Sequence, residues 1–295
     1  MPKPPVTPTR RPVASLRHKA CRWALLAAAT ASLAAPAQAA ITVFEAAATT
    51  PAGLTPTRDS FRVAVGGGNA APANGDFGGL RREINWDGVP DIRADPNALP
   101  ANFFNTTSPR GAVFSSPTPG ASFAVSASST SGTPTLFGFP GDLQAFSAQR
   151  LFATLGSRIT DIHFFVPGTS TVASTRAFAA VFVDVDYNDP DDITVMEFFN
   201  PGNALIFSRQ VLNAGNQGLS FLGGMATAGE QIGRVRITTA NNFLISNGLR
   251  ANEANDFVVM DDFLYATPTA VPEPAAWVMA LFGLGALGWQ ARRRR

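Results

Sequence analysis

The chain has 295 residues, with 23 lysines and arginines against 21 aspartates and glutamates, two histidines and a single cysteine. The excess of positive charge is positional: six cations fall within the first 39 residues and four are the final arginines, which leaves 13 basic and, with Glu273 counted to the C-terminal segment, 20 acidic groups in residues 40–267. That balance excludes a basic nucleic-acid surface, the lone Cys21 excludes a disulfide framework, and Cys21 with His18 and His163 is too small a set for thiol or zinc chemistry.

At the N-terminus Arg10, Arg11, Arg17, Lys19 and Arg22 precede an apolar stretch over 23–35. Ala37-Gln38-Ala39 then supplies a small-x-small cleavage pattern, so residues 1–39 read as a secretory signal peptide cut after Ala39. Cys21 lies before the apolar stretch and is no lipoprotein anchor.

Residues 40–267 read as one all-β domain, an antiparallel β-sandwich. From 41 to 79 the chain is rich in Ala, Thr, Pro and Gly, and 57–65 alternates like a strand before Gly66-Gly67-Gly68. Short strands follow at 81–86, 99–104, 111–114 and 123–126, separated by Pro, Ser and Gly clusters. Residues 158–166 alternate, and 177–186 are apolar on both faces until Asp184, as a central strand is. Residues 193–199 and 205–211 pair across Asn200-Pro201-Gly202-Asn203 as a hairpin, and 219–222, 232–238 and 257–265 complete the series. No repeat of fixed period suggests a solenoid or propeller.

The densest polar cluster is Asp184, Asp186, Asn188, Asp189, Asp191 and Asp192. Oxygens at alternate positions running into a turn suit a hard cation, so Asp184, Asp186, Asn188 and Asp191 are candidate Ca²⁺ ligands. Asp189 at the position that demands glycine, and Val195 at that of the bidentate glutamate, exclude an EF-hand. The competing reading is a solvated acidic loop that blunts a sheet edge. Asp261 and Asp262 are the second candidate, within an apolar strand whose alternation sends one to each face. A buried carboxylate there needs a partner, either Ca²⁺ or Arg234 and Arg236.

Catalytic constellations are scarce. Between the two ends His163 is the one histidine, on an apolar strand, and Gly218-Leu219-Ser220-Phe221-Leu222-Gly223 misses the spacing of a nucleophile elbow. Glu83, Glu197, Glu230 and Glu253 show no paired glycosidase pattern. Trp86 beside Asp87, and Phe103-Phe104 between Asn102 and Asn105, have the apolar faces and polar edges of sugar-stacking platforms.

The C-terminal segment 268–295 joins Val271-Pro272-Glu273-Pro274 to an uncharged apolar run over 275–288 and to Arg292, Arg293, Arg294 and Arg295. At about 1.5 Å per helical residue the run reaches about 20 Å, short of a roughly 30 Å hydrocarbon core, so it reads as a short transmembrane helix held marginally. The arginines keep its end on the cytoplasmic side and the body outside. This arrangement closely resembles the PEP-CTERM sorting signal of Gram-negative bacteria. The resemblance implies an exosortase-type processing enzyme as partner, an inner-membrane intermediate during export, and removal of the tail. The strands from 177 to 265, with Asp-Val-Asp, Gly-Leu-Ser-Phe-Leu-Gly and Val-Met-Asp-Asp-Phe, resemble secreted members of the same group, which implies a jelly-roll-like domain without assigned activity. The expectation is therefore a non-enzymatic protein of the cell surface or exopolysaccharide matrix. The alternative is an exported polysaccharide hydrolase with two carboxylates.

Overall fold

A computed structural model of the chain describes residues 40–70, 73–186, 192–252 and 257–271. Ala37, Asn188, Asp191, Pro272, Glu273, Pro274 and Arg292 to Arg295 lie outside the described residues, as do Ala39, the signal segment and the apolar run at 275–288. Among the described residues no helix is long and apolar enough to cross a membrane.

The strands in chain order are β1 (Ile41–Ala48), β2 (Asp76–Phe77), β3 (Arg81–Ile84), β4 (Ala112–Ser115), β5 (Ser122–Val125), β6 (Phe152–Leu155), β7 (Ile159–Phe164), β8 (Ala173–Ser174) and β9 (Ala177–Val183). They continue as β10 (Val195–Phe199), β11 (Leu205–Gln210), β12 (Leu219–Ala226), β13 (Arg234–Thr238), β14 (Leu244–Ser246), β15 (Leu249–Arg250), β16 (Val259–Ala266) and β17 (Thr269–Ala270). One sheet runs β1-β12-β9-β16-β3-β2, with β6 also on β16 and β5 on β6, and a second runs β11-β10-β13-β7-β4. Every pairing is antiparallel.

Alternation along the strands decides where each side chain goes. On β9, Phe178, Ala180 and Phe182 enter a core shared with Met196 and Phe198 of β10, Val235 and Ile237 of β13, and Ile162 and Phe164 of β7. The other face of the same strand, Ala177, Ala179, Val181 and Val183, packs into a second core. This is why β9 is apolar throughout: both its faces are covered. The first core contains the main aromatic assembly, with Trp86 stacked on Phe152 at 4.3 Å between centroids and Phe263 and Phe104 meeting it edge-on.

The second core is covered by a helix, α1 (Pro51–Val65), where the sequence suggests a strand over 57–65. Leu54, Phe61 and Val65, at spacings of seven and four, form its buried stripe, while Val63, which completes the strand-like alternation, is 82 % exposed. Pro51 occupies the first turn, where its missing N–H costs nothing, and the chain leaves at Gly66 with φ 90°. The helix seats on β12 through Gly223, where a Cβ would stand 2.8 Å from that of Ala179 and 3.0 Å from the Phe61 ring. The expected strand over 99–104 is also corrected. Leu99 makes a single bridge to Phe123, and a short helix, α2 (Phe103–Thr106), follows. Strands β1 and β6 were not anticipated; β1 is an edge strand whose alanine-rich sequence carries little β signal.

Candidate functional site

The sequence-predicted residues are scattered. Asp184 is fully buried at the end of β9 with φ 71°, and its Oδ1 accepts the Gln217 N–H at 2.7 Å. Asp192 accepts the Asn241 N–H at 3.1 Å. Among the described residues no three His, Cys, Asp or Glu side chains gather as a metal site. Trp86, Phe103 and Phe104, expected as exposed stacking platforms, are 1 %, 5 % and 2 % exposed and belong to the core. Ser220 is buried and donates to the Leu212 carbonyl at 2.6 Å. His163 meets the Ser115 hydroxyl at 2.9 Å, and burial holds its pKa below the ordinary value.

Arg234 and Arg236 do not serve Asp261 and Asp262. They belong to the second sheet and both bind Asp161, Arg236 with two bonds of 2.8 and 2.7 Å and Arg234 with one of 2.8 Å. Burial pushes the Asp161 carboxyl up, and its hydrogen bonds to Arg236 and Arg234 outweigh that and bring it below the usual value.

Asp261 and Asp262 sit at a β-bulge. On β16, Met260 faces Phe182 of β9 while Phe263 faces Ala180, so one extra residue interrupts the alternation. The expected division of the two aspartates between opposite faces fails for this reason. Asp261 Oδ2 accepts the N–H groups of Phe146 and Ser147 at 2.7 and 3.1 Å, and Oδ1 accepts the Ser147 hydroxyl at 3.0 Å. Asp262 reaches the same serine and hydrogen-bonds Asp261. The freed Asp261 carbonyl takes the Trp86 indole N–H at 3.0 Å, so the bulge is keyed into the aromatic core. Burial raises both carboxyls, Asp262 to about 6, and Asp261 is pushed up further by the Asp262 charge.

Asp262 opens into a cleft between α1 and β3. Two adjoining hollows of about 450 and 350 Å³ share Arg58, Arg62, Phe77, Glu83 and Asn85. Arg62 grips Glu83 with two bonds of 2.8 and 2.6 Å, and Arg81 adds one of 2.6 Å. Arg81 is 1 % exposed and spends its remaining donors on the carbonyls of Arg62, Gly66 and Gly68. Arg110 is held differently. Its guanidinium lies over Phe104 at 5.0 Å, one Nη donates to Ser108 at 2.9 Å, and Nε is buried without a partner. Burial, with the Arg82 charge nearby, holds its pKa below the ordinary arginine value. Of these cleft residues the sequence singles out Asp262 as a candidate and Glu83 only as an unpaired carboxylate, and it does not join them. The readable signal is Arg58, Asp59 and Arg62 at helical spacing, which needs the helix to be recognised first.

The described chain is thus a β-rich protein of two large antiparallel sheets and two two-stranded ones, with a helix covering one face and an arginine-lined cleft. Its C-terminal residues 270–295 match the family model of the PEP-CTERM protein-sorting motif, so the chain carries the export and sorting signal of an exosortase substrate. That motif implies export through a membrane-anchored intermediate. No curated protein matches the chain.

Proposed function

We propose that the body is a jelly-roll-like β-sandwich that acts, without catalysis, as a cell-surface or exopolysaccharide-matrix component and binds polysaccharide through the α1/β3 cleft. The supporting observation is that a protein bearing an export motif carries an open polar cleft of about 450 Å³ walled by Arg58, Arg62, Asn69 and Asn85. Fixed guanidinium and amide groups around an open groove suit hydroxyl-rich chains. Removal of the signal peptide after Ala39 and of the tail near Pro272-Glu273-Pro274 delivers the body to the outer surface or the medium.

A second reading has one observation in its favour. Asp262, raised to about 6, shares the cleft with Glu83, as an acid and an ionised carboxylate do in a glycoside hydrolase. Against it, three guanidinium bonds, two from Arg62 and one from Arg81, hold both Glu83 oxygens and commit this carboxylate to an ion pair between helix and sheet. Protein recovered from its secreting host, incubated with that host's exopolysaccharide, separates the readings. Retention of polysaccharide without release of reducing ends is expected. Sustained release of reducing ends, abolished by Asp262→Asn, would make it a hydrolase.

A further inference from the structure

Ala40, the residue that a cut after Ala39 leaves first, is pinned at both of its backbone polar atoms by the loop between β12 and β13. Its carbonyl accepts the N–H and the hydroxyl of Thr227, each at 2.9 Å. Its nitrogen donates to Glu230 Oε1 at 2.9 Å. The loop turns at Gly229, with φ 94°, and Glu230 Oε2 accepts the Ala228 N–H at 3.1 Å, so the carboxylate is fixed on its own loop and presents the other oxygen to Ala40. The next residue, Ile41, faces Ala226 and opens the ladder of β1 on β12, which runs to Ala48 and Leu219.

Glu230 has no cation of its own. Among the described residues its partners are backbone N–H groups, that of Ala40 first, and they hold its carboxyl below its ordinary pKa. Arg176, whose carbonyl receives the Ala226 N–H beside the loop, commits its guanidinium to the Val65 carbonyl at 2.8 Å and the Met225 sulfur at 3.3 Å. Glu45, further along β1, is paired with Arg209. In the uncut chain the Glu230 carboxylate therefore meets one neutral amide. Hydrolysis of the Ala39–Ala40 bond turns that same nitrogen into an ammonium, with three donors and a positive charge, at hydrogen-bond distance from a counter-ion. Charge-assisted bonds of this kind are shorter and roughly twice as strong as neutral ones. A cut one residue later moves the ammonium to Ile41, a Cα step of about 3.8 Å along the chain, and removes the carbonyl that Thr227 holds.

We propose that the loop over 227–230 is a socket for an α-ammonium group, that of Ala40, with Glu230 as counter-ion and Thr227 holding the adjoining carbonyl. Signal cleavage then completes an ion pair at the open edge of the larger sheet, where a strand end frays unless it is tied down. The pair distinguishes a chain cut after Ala39 from the precursor and from a chain cut elsewhere. The socket depends on the removal of residues 1–39 proposed above.

The amine can be observed by itself, because Lys3 and Lys19 are the only lysines and both precede the cut. In protein recovered from its secreting host, N-terminal sequencing and intact mass establish the first residue, and reductive ¹³C-methylation labels the α-amine as the one aliphatic amine. Its carbon resonance is expected to titrate at a pH about 0.2–0.7 higher in the folded protein than in the same protein in urea, the range an exposed ion pair supplies. Glu230→Gln should abolish that difference. Glu197→Gln, which deletes the same charge from β10, should retain it, with thermal midpoints showing both variants folded. Equal titration in the parent and Glu230→Gln overturns the socket while sparing the cleavage reading, and so does an equal fall in both variants, which would make the effect one of net charge. A first residue other than Ala40 overturns both.

Discussion

Arg62 on helix α1 holds both carboxylate oxygens of Glu83 on strand β3, through Nε at 2.8 Å and Nη2 at 2.6 Å. The fork, together with the Arg81 bonds to the carbonyls of Arg62 and Gly66, ties the covering helix to β3 across the cleft. Arg81, almost wholly buried, pairs with the same carboxylate, its only negative partner among the described residues.

Glu83→Gln should therefore destabilise the fold. Breaking a buried pair costs about 3–5 kcal/mol, because the remaining cation is left uncompensated. The Glu83 side chain keeps 11 % exposure and Arg62 keeps 22 %, which places the expected loss at the lower end, about 3 kcal/mol. Urea unfolding measures it as a lower midpoint with an unchanged slope. A loss under about 0.5 kcal/mol, the range of ordinary surface substitutions, would mean the tie is decorative.

A second expectation concerns pH. The Asp262 carboxyl titrates at about 6 in the folded chain against 3.8 ordinarily, with burial as the main cause. Between those values the folded state binds a proton that the unfolded chain has released, so its contribution to stability falls as pH rises from about 4 to about 6. Asp261, raised by burial and by the Asp262 charge, acts with the same sign. His163, lowered by burial, acts oppositely and costs stability as pH falls below its ordinary 6.5. Asp161, pushed up by burial but brought below its ordinary value by Arg236 and Arg234, loses its contribution only in stronger acid. Comparison with Asp262→Asn removes this group together with its push on Asp261. The variant should exceed the parent at pH 8 by up to about 3 kcal/mol, with the difference vanishing near pH 4. An equal difference at both pH values would contradict a titrating Asp262.

What the sequence revealed and what it hid divide along one physical line. Strands buried on a flat sheet face announce themselves by local pattern, and 177–186, 158–166 and the hairpin across 200–203 emerge where the pattern puts them. Helix α1 is obscured because Phe61, Val63 and Val65 alternate by coincidence, and only burial distinguishes the stripe of Leu54, Phe61 and Val65 from that alternation. The cleft is obscured for a different reason. Arg62, Glu83, Arg110 and Asp262 come from four separate segments, and nothing near any of them in sequence points to the others. The bulge at Asp261 and Asp262 has no local signature either, since it follows from how β16 must register with β9.

Calcium supplies a third test. Asp184 and Asp186 follow β9 and, with Asn188 and Asp191 outside the described residues, make up the candidate ligand set. We expect millimolar Ca²⁺ to raise the thermal midpoint relative to EDTA. A ligand at a hundred times its dissociation constant adds about 2.7 kcal/mol, which in a domain of this size is a shift of several degrees. Asp184→Asn should remove the increment. Identical midpoints in EDTA and in Ca²⁺ would leave the loop as a solvated acidic edge.

The sorting segment gives the last test. Residues 270–295 match the PEP-CTERM motif, and within them Pro272 and Pro274 restrict the backbone around Glu273 to extended conformations, the form a processing enzyme reads most readily. On length alone the apolar run that follows is expected to be held weakly in a bilayer, with Arg292 to Arg295 as the stop that keeps its end in the cytoplasm. Replacing those four arginines by serine should let the tail pass through the membrane. Replacing Pro272, Glu273 and Pro274 by alanine should leave a full-length, membrane-retained form, because the anchor then persists uncut. Mass spectrometry of the protein from the cell surface and from the medium distinguishes the cases. A C-terminus near Pro272 to Pro274 is expected in the parent, whereas an intact chain ending at Arg295 would reduce the segment to a permanent anchor.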